Sequence, residues 1–271
     1  MTEIIIDLDA YTKPELSGYR EPPIAAHVVR LRALVSQLLE LGFTKFLSPP
    51  DPRILNILSQ LRRRYPFEVV PLLVDAGRHS REMQTYGLIG FARRRLFAAG
   101  PVGGMRTSLE ALPRVVSILR RDYVDGSLFL AALELTEFAR FLPRRALLHP
   151  NSADLATANR NHRLFQGFAS MLRKRGVAPG IMTNNAGWLV PLLDEWGLAM
   201  TVATPVTASG YHMKPTREAC IVSARHSRCD FIAVLPARGR IEDADDLPAS
   251  AVIASPADAV AGLTLLDSAA R

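Results

Sequence analysis

The sequence has few of the features that mark several large classes of protein. It contains only two cysteines in 271 residues, Cys220 and Cys229, and their spacing fits neither a disulfide framework nor a zinc site. No apolar run approaches the roughly 18 residues that a membrane-spanning helix requires, so no membrane partner is expected. The first residues predict a strand, not a signal peptide, and we therefore expect a cytoplasmic protein.

Aromatic residues are also scarce, at 7% of the chain, although the net charge is +7. Most of the basic residues form short clusters that end predicted helices, where a cation complements the helix dipole. A nucleic-acid interface would instead need a basic face interleaved with aromatic side chains, so we expect no nucleic-acid partner. The excess positive charge favours a small anionic metabolite as the partner.

Short apolar segments alternate with helix-like segments along most of the chain, most regularly over 180–240. The strand candidates are 4–10, 44–47, 68–74, 128–133, 146–149, 181–183, 200–206 and 231–236. This alternation is typical of consecutive βα units in a parallel sheet. Eight such units predict an α/β fold, a single (β/α)8 TIM barrel over 1–271. The alternative is an open doubly wound sheet, but no predicted strand precedes a G-x-G-x-x-G motif.

The longest connection in the predicted barrel spans about 78–124 and is predicted to hold two helices, 80–97 and 108–121. A last helix is predicted over 256–268.

Four segments resemble the aldo-keto reductases. LLELGFTKFLSPPDPRILNILSQL is similar to the first helix, second strand and second helix of that family, and IMTNNAGWLVPLLDEWGL to its sixth unit. FIAVLPARGRI and VIASPADAVAGL are similar to its last two units. The resemblance covers about half of the chain, and it implies a TIM barrel with an anion or phosphate site near loops seven and eight.

The catalytic tetrad of that family is not matched. Its Tyr and Asp follow the second strand, where this chain has 47–51, and its Lys ends the third strand, where Val74 and Asp75 stand. Glu134 occupies the position of its His. The resemblance therefore leaves an atypical NADP-dependent reductase as an alternative function, not the leading one.

The active sites of TIM barrels lie at the C-terminal ends of the strands, and polar residues follow most of the predicted strands here. The candidate catalytic residues are Glu134, His149, Tyr211, His212 and Lys214. The candidate substrate-binding residues are Asp7, Asp9, Asp75, Asn151, Asn184, Asn185, Arg238 and Gly239.

Several chemistries fit the candidate catalytic residues. Lys214 suits a Schiff base with a carbonyl substrate or a fixed charge beside an anion. Tyr211, His212 or Glu134 would then move protons. Glu134, His149 and His212 together also suit a divalent metal, because carboxylate and imidazole are its common ligands.

The candidate binding residues add two further patterns. Asp7 and Asp9 share one face of a strand and suit either an acid–base pair or hydrogen bonding within the loop. Arg238 and Gly239 follow the eighth predicted strand, where barrels commonly bind phosphate.

We therefore expect an enzyme that acts on a small anionic carbonyl or hydroxy metabolite by proton transfer or bond cleavage, of the lyase, aldolase or isomerase type. The alternatives are the NADP-dependent reductase and a catalytically inactive barrel that serves as a binding subunit. The sequence does not identify the cofactor: a divalent metal and NADP are both compatible with it. A homo-oligomer is also compatible with the sequence.

Overall fold

The fold is a closed barrel of eight parallel strands. The structure is a computed structural model that describes residues 3–9, 24–98, 122–235, 247–256 and 259. Each strand is hydrogen-bonded to the next in chain order, and the last strand pairs with the first. The predicted single-domain (β/α)8 architecture is confirmed in its fold class.

Most of the strands are short. They are β1 (Glu3–Asp7), β2 (Lys45–Ser48), β3 (Glu68–Leu73), β4 (Arg145–Leu148), β5 (Ala178–Met182), β6 (Thr201–Pro205), β7 (Asp230–Val234) and β8 (Ala249–Ala254).

The helices surround this barrel. Those within the described residues are α1 (Ile24–Glu40), α2 (Pro52–Leu61), α3 (Ala76–Ala98), α4 (Tyr123–Glu137), α5 (Pro150–Ala158), α6 (His162–Arg173), α7 (Ala186–Glu195) and α8 (Arg217–His226). A short 3-10 helix, Ala139–Phe141, follows α4. Helix α3 is broken at Gly87, whose φ of 67° and ψ of 169° are not helical. Among the described residues, none of the helices is long and apolar enough to cross a membrane.

Alternating side chains of the strands form two apolar layers, because successive residues of a strand point to opposite faces. The inner layer fills the barrel with Ile5, Leu47, Val70, Leu72, Leu147, Ala203, Ile232, Val234, Ala251 and Ile253. The outer layer includes Phe46 and Phe231 and packs against helix side chains such as Phe165 and Phe168 of α6. A filled barrel has no pore, so a ligand has access only at its ends.

One predicted strand is wrong. The segment 128–133 lies inside α4, which begins after Asp122; the side chain of Asp122 accepts hydrogen bonds from the first-turn amides of Val124 and Asp125. This segment is apolar on all sides, and such a run does not distinguish a buried helix from a strand.

The eighth strand of the barrel is β8, which the sequence did not predict as a strand; the predicted eighth strand, 231–236, corresponds to β7. The predicted helices at 108–121 and 256–268 lie entirely or almost entirely outside the described residues.

The two ends of the barrel differ in character. At the N-terminal end, Lys45 of β2 pairs with Glu3 of β1 and lies 3.3 Å from Glu68 of β3, which joins three strands through one cation. In this fold the N-terminal end contributes stability, and the reacting groups lie at the opposite end.

Candidate active site

A polar cleft lies at the C-terminal end of the barrel. It is lined by Asp9, Pro49, Pro50, Leu72, Asp75, Arg78, Glu134 and His149. These residues come from the ends of β1 to β4 and from helices α3 and α4. The space open to the centre of a water molecule is about 10 Å³, which is close to the ~10–15 Å³ that one bound water needs. The enclosed part of the cleft therefore holds about one water-sized group.

His149 is the buried imidazole of this cleft. It follows β4 directly, and Leu147, two residues earlier, points into the barrel. Its Nδ1 accepts the backbone N–H of Asn151 over 3.1 Å and so caps α5. The side chain is only 2% exposed. One side of the ring thus serves the helix cap, and the other side is directed at the cleft.

The helix cap also determines the tautomer of His149. Because Nδ1 is an acceptor, the proton of the neutral ring lies on Nε2. This Nε2–H is buried and has no hydrogen-bond partner among the residues that the structure describes. The nearest carboxylate oxygens, Oδ2 of Asp75 and Oδ2 of Asp9, lie 3.7 and 3.8 Å away, beyond hydrogen-bond distance.

Asp75 is held rigidly beside His149. Its Oδ1 accepts the backbone N–H groups of Gly77 at 3.0 Å and Arg78 at 3.2 Å, in the first turn of α3. The same oxygen accepts the side-chain amide of Asn151 at 2.7 Å. Asn151 thereby contacts both His149 and Asp75 and ties the end of β4 to the end of β3.

Val74, just before Asp75, has a strained backbone. Its φ is 62°, a left-handed conformation that is unfavourable for a β-branched residue. Its N–H donates to Oε2 of Glu134 at 2.6 Å, and its carbonyl accepts from Oγ of Ser152 at 2.5 Å. Side chains from α4 and α5 thus hold the turn that brings Asp75 to the cleft.

Glu134 forms a second buried contact, with His79. His79 Nε2 lies 2.7 Å from Oε1 of Glu134, and the two side chains are 4% and 1% exposed. The imidazole also packs against the ring of Phe91, with the centroids 5.5 Å apart. Both oxygens of Glu134 are therefore engaged in holding α3 and β3 against α4.

Arg78 supplies a cation to the cleft. Its Nε donates to Glu82 at 3.0 Å and its Nη2 to the carbonyl of Pro50 at 3.2 Å. Nη1 is buried without a hydrogen-bond partner in the described part of the chain. Burial by itself would lower the pKa of Arg78, but the carboxylates of Glu82, Glu134 and Asp51 outweigh it and raise the pKa above its usual value. The guanidinium therefore stays charged.

The three candidates that follow β6 have exposed side chains. Tyr211 is 64% exposed and its ring contacts that of His212, with centroids 3.9 Å apart. His212 and Lys214 are exposed as well. The backbone N–H of Lys214 donates to the carbonyl of Asn184. None of these three side chains lines the described cleft.

Asn184 is hydrogen-bonded to helix α5, and Asn185 to its own loop. The side-chain amide of Asn184 donates to Asp154 at 3.1 Å, and the backbone N–H of Asn185 donates to Oγ1 of Thr183 at 2.9 Å. Thr183 in turn donates to Asp154 at 2.5 Å. Burial raises the pKa of Asp154, and the hydrogen bonds from Thr183 and Asn184 offset only part of this effect.

The two aspartates of the first strand are placed differently. Asp9 lines the cleft, whereas Oδ1 of Asp7 accepts the backbone N–H of Asp9 at 2.8 Å. Asp7 therefore fixes the backbone that presents Asp9. Arg238 and Gly239 lie outside the described residues.

The described residues do not fit a metal ion. Within that part of the chain, no group of three or more His, Cys, Asp or Glu side chains is arranged to hold one. A histidine that binds a metal through one nitrogen usually donates its other N–H, but Nδ1 of His149 is an acceptor. His212, the third predicted ligand, is exposed and does not line the cleft with Glu134 and His149.

No protein-family model matches the chain, and no curated protein matches it. The closed barrel agrees with the fold that the resemblance to aldo-keto reductases implies, but no match supports membership of that family.

Proposed function

We propose that the chain is an enzyme that transfers a proton to or from a small anionic hydroxy or carbonyl metabolite in the cleft at the end of β1 to β4. One observation carries this proposal, the Nε2–H of His149. It is buried and without a hydrogen-bond partner among the described residues. Leaving such a donor unpaired is costly, and a catalytic role is one recognised reason for it. A substrate oxygen would satisfy it.

The surroundings of His149 support proton transfer. The carboxylates of Asp9 and Asp75 lie on the side of Nε2, at 3.8 and 3.7 Å, and they come from two different strands. A substrate carbonyl oxygen that accepts the Nε2–H would therefore hold the carbon next to that carbonyl close to one of these two carboxylates. A fixed hydrogen-bond donor and a nearby base are the two groups that abstraction of a proton next to a carbonyl requires.

In the proposed step, one carboxylate of this pair takes the proton from the carbon next to the carbonyl. The electron pair of that C–H bond forms a C=C bond, and the carbonyl π electrons move to the oxygen, where the Nε2–H of His149 stabilises the charge. When the deprotonated carbon bears a hydroxyl, that hydroxyl passes its proton to the enolate oxygen, and the first proton returns to the former carbonyl carbon. This gives an isomer whose carbonyl has moved by one carbon. When the carbon on the other side of the deprotonated carbon bears a leaving group, the enolate re-forms the carbonyl and expels that group with its bonding electrons. This gives a lyase product with a new C=C bond. Neutral imidazole is suited to this role because it donates a hydrogen bond without carrying a charge.

Proton exchange tests this proposal directly. The protein would be incubated in D₂O with small 2-oxo and 2-hydroxy carboxylates and with hydroxyketone and hydroxyaldehyde phosphates. Proton NMR then follows the C–H signal next to the carbonyl and the appearance of new products. We expect at least one of these compounds to lose the signal or to be converted. The absence of both effects across all four classes would contradict the proposal.

The variant His149→Asn separates the chemistry from the fold. Asparagine is a favourable N-cap and can accept the N–H of Asn151 in place of Nδ1, but it lacks Nε2. We expect the exchange rate to fall about 10²- to 10⁴-fold, the usual contribution of a positioned acid or base. Asp9→Asn and Asp75→Asn show which carboxylate accepts the proton.

His226→Asn is the matched control, because His226 is exposed on α8, away from the cleft. It should exchange at the wild-type rate. Wild-type exchange in His149→Asn would overturn the role of the imidazole.

A further inference from the structure

We infer that the ligand of this cleft carries both an anionic group, bound by Nη1 of Arg78, and an adjacent hydroxyl or ammonium group, held by the carboxylates of Asp9 and Asp75. The inference rests on the proposed function for the location of the site. It goes further in naming the class of ligand: a small hydroxy or amino acid, or the corresponding phosphate.

The first part follows from the geometry of Arg78. Its guanidinium is planar, and two of its three nitrogens are fixed by Glu82 and by the carbonyl of Pro50. The direction of the third nitrogen, Nη1, is therefore fixed before any ligand binds. Nη1 is buried and without a partner among the described residues. A charged donor in that state is satisfied best by a carboxylate or phosphate oxygen.

The second part follows from the acids that share the cleft. Asp9 and Asp75 line it together with Arg78, and a ligand with only negative charge would be repelled by both carboxylates. A hydroxyl or ammonium group next to the anionic group donates hydrogen bonds to these oxygens and removes the repulsion. Neither a neutral polyol nor a simple dicarboxylate satisfies both halves of the site.

The apolar lining limits the size of the ligand. Pro49, Pro50 and Leu72 form the rest of the described wall, and they offer no hydrogen-bonding side chain to a longer polar ligand. The polar contacts that the described wall offers therefore come from a few side chains at one place, which favours a small ligand.

Ligand-observed NMR titration can test both halves with matched probes. Glycerate and serine carry a carboxylate beside a hydroxyl or ammonium group, and glycerol 3-phosphate carries a phosphate in its place. Glycerol lacks the anion, and malonate lacks the hydroxyl. We expect at least one of the first three to bind at least ~10-fold more tightly than glycerol and malonate, given the strength of hydrogen bonds to charged groups. Comparison of glycerate and serine with glycerol 3-phosphate shows whether the site prefers a carboxylate or a phosphate.

The variant Arg78→Gln should weaken the binding of the preferred probe about 10- to 100-fold, and Arg78→Lys should restore only part of it, because the planar fork is lost. Arg173→Gln is the matched control, since Arg173 is exposed on α6 and bonds the carbonyl of Ala199. It removes the same charge and should bind like the wild type. Circular dichroism of each variant shows whether it is folded. If Arg78→Gln does not fold, the affinity of Arg78→Lys for the preferred probe, compared with that of the wild type, shows whether Arg78 binds the anionic group.

Three results would overturn the inference: no binding by any of the anionic probes, equal binding of glycerol or malonate, or unchanged affinity in a folded Arg78 variant. Failure of the proposed function looks different. In that case the probes bind and depend on Arg78, but no C–H exchange occurs and His149→Asn changes nothing.

Discussion

The backbone N–H of Val74 donates to the carboxylate of Glu134 over 2.6 Å, and this bond joins a strained turn at the end of β3 to a helix outside the barrel. The same carboxylate contacts His79. Since Asp75 follows Val74 directly, the position of one carboxylate in the cleft depends on a second one behind it. Glu134 is thus a positioning residue in this structure, with both oxygens committed to other groups.

Replacement of Glu134 should reveal this dependence. In Glu134→Ala, the N–H of Val74 and the ring of His79 lose a buried partner, and we expect the free energy of unfolding to fall by about 2–5 kcal/mol, because each unsatisfied buried group costs about 1–3 kcal/mol. Glu134→Gln keeps an acceptor for Val74 and should lose only about 1–3 kcal/mol. Urea denaturation followed by circular dichroism measures both values. Equal losses would show that the bond to Val74 contributes little.

The cap formed by His149 makes a separate prediction about stability. His149→Ala removes the acceptor for the N–H of Asn151, whereas His149→Asn retains one. We expect the alanine variant to be less stable than the asparagine variant by about 1 kcal/mol, the usual value of an N-cap. Thermal denaturation of the two proteins under the same conditions measures the difference. An asparagine variant that is no more stable than the alanine variant would contradict the cap.

Asp154 should make stability depend on pH. Burial raises its pKa in the folded protein above the ordinary value of 3.8, so the folded state binds a proton more readily than the unfolded state. The resulting stabilisation is complete below the unfolded pKa and is lost as the pH rises through the folded pKa.

Comparison with Asp154→Asn isolates this effect. We subtract the free energy of unfolding of Asp154→Asn from that of the wild type. This difference should decrease as the pH rises from the unfolded pKa of Asp154 to its folded pKa, and it should stay constant at higher pH. Urea denaturation at a series of pH values measures the difference. A difference that increases with pH would show that the hydrogen bonds from Thr183 and Asn184 outweigh burial.

Two glycines should respond in opposite ways to alanine. A Cβ on Gly180 of β5 would lie 2.3 Å from Cδ2 of Leu147 and 3.2 Å from the carbonyl of Thr201, inside the filled barrel. We expect Gly180→Ala to lower the free energy of unfolding by about 1–3 kcal/mol through overpacking. A Cβ on Gly126 of α4 meets no atom within 4 Å, and Gly126→Ala should raise stability by about 0.5–1 kcal/mol. Chemical denaturation measures both changes, and a neutral Gly180→Ala would show that Leu147 can move.

The fold could be predicted from the sequence because seven strands are apolar runs that end in Pro, Asp, Asn or His. The eighth could not, because Ala249–Ala254 is rich in small residues and gives a weak pattern. The eight predicted strands included the apolar segment at 128–133 instead of β8. Its period alone does not distinguish a strand from a helix that is buried on most sides.

The lining of the described cleft could be predicted in part, for a related reason. Asp9, Asp75 and His149 follow strands directly, so the rule that barrel sites lie at strand ends finds them. Arg78 and His79 were missed because they lie one turn inside a helix. Glu134 was identified at a supposed strand end, yet it reaches the cleft from α4. The same rule does not determine which loops line the cleft, and Lys214 is not among the described residues that line it.

The described cleft takes most of its polar groups from the single connection between β3 and β4 and from the turn that follows β4. In the sequence these groups are carried by two short stretches, Asp-Ala-Gly-Arg-His at 75–79 and His-Pro-Asn-Ser at 149–152. Glu134, which lies between the two stretches, supplies the remaining group. Apolar positions of a barrel exchange freely among similar residues, so distant relatives need not resemble the rest of this chain. A protein that keeps these two stretches and the glutamate is the one in which to look for the same chemistry, however different its strands have become.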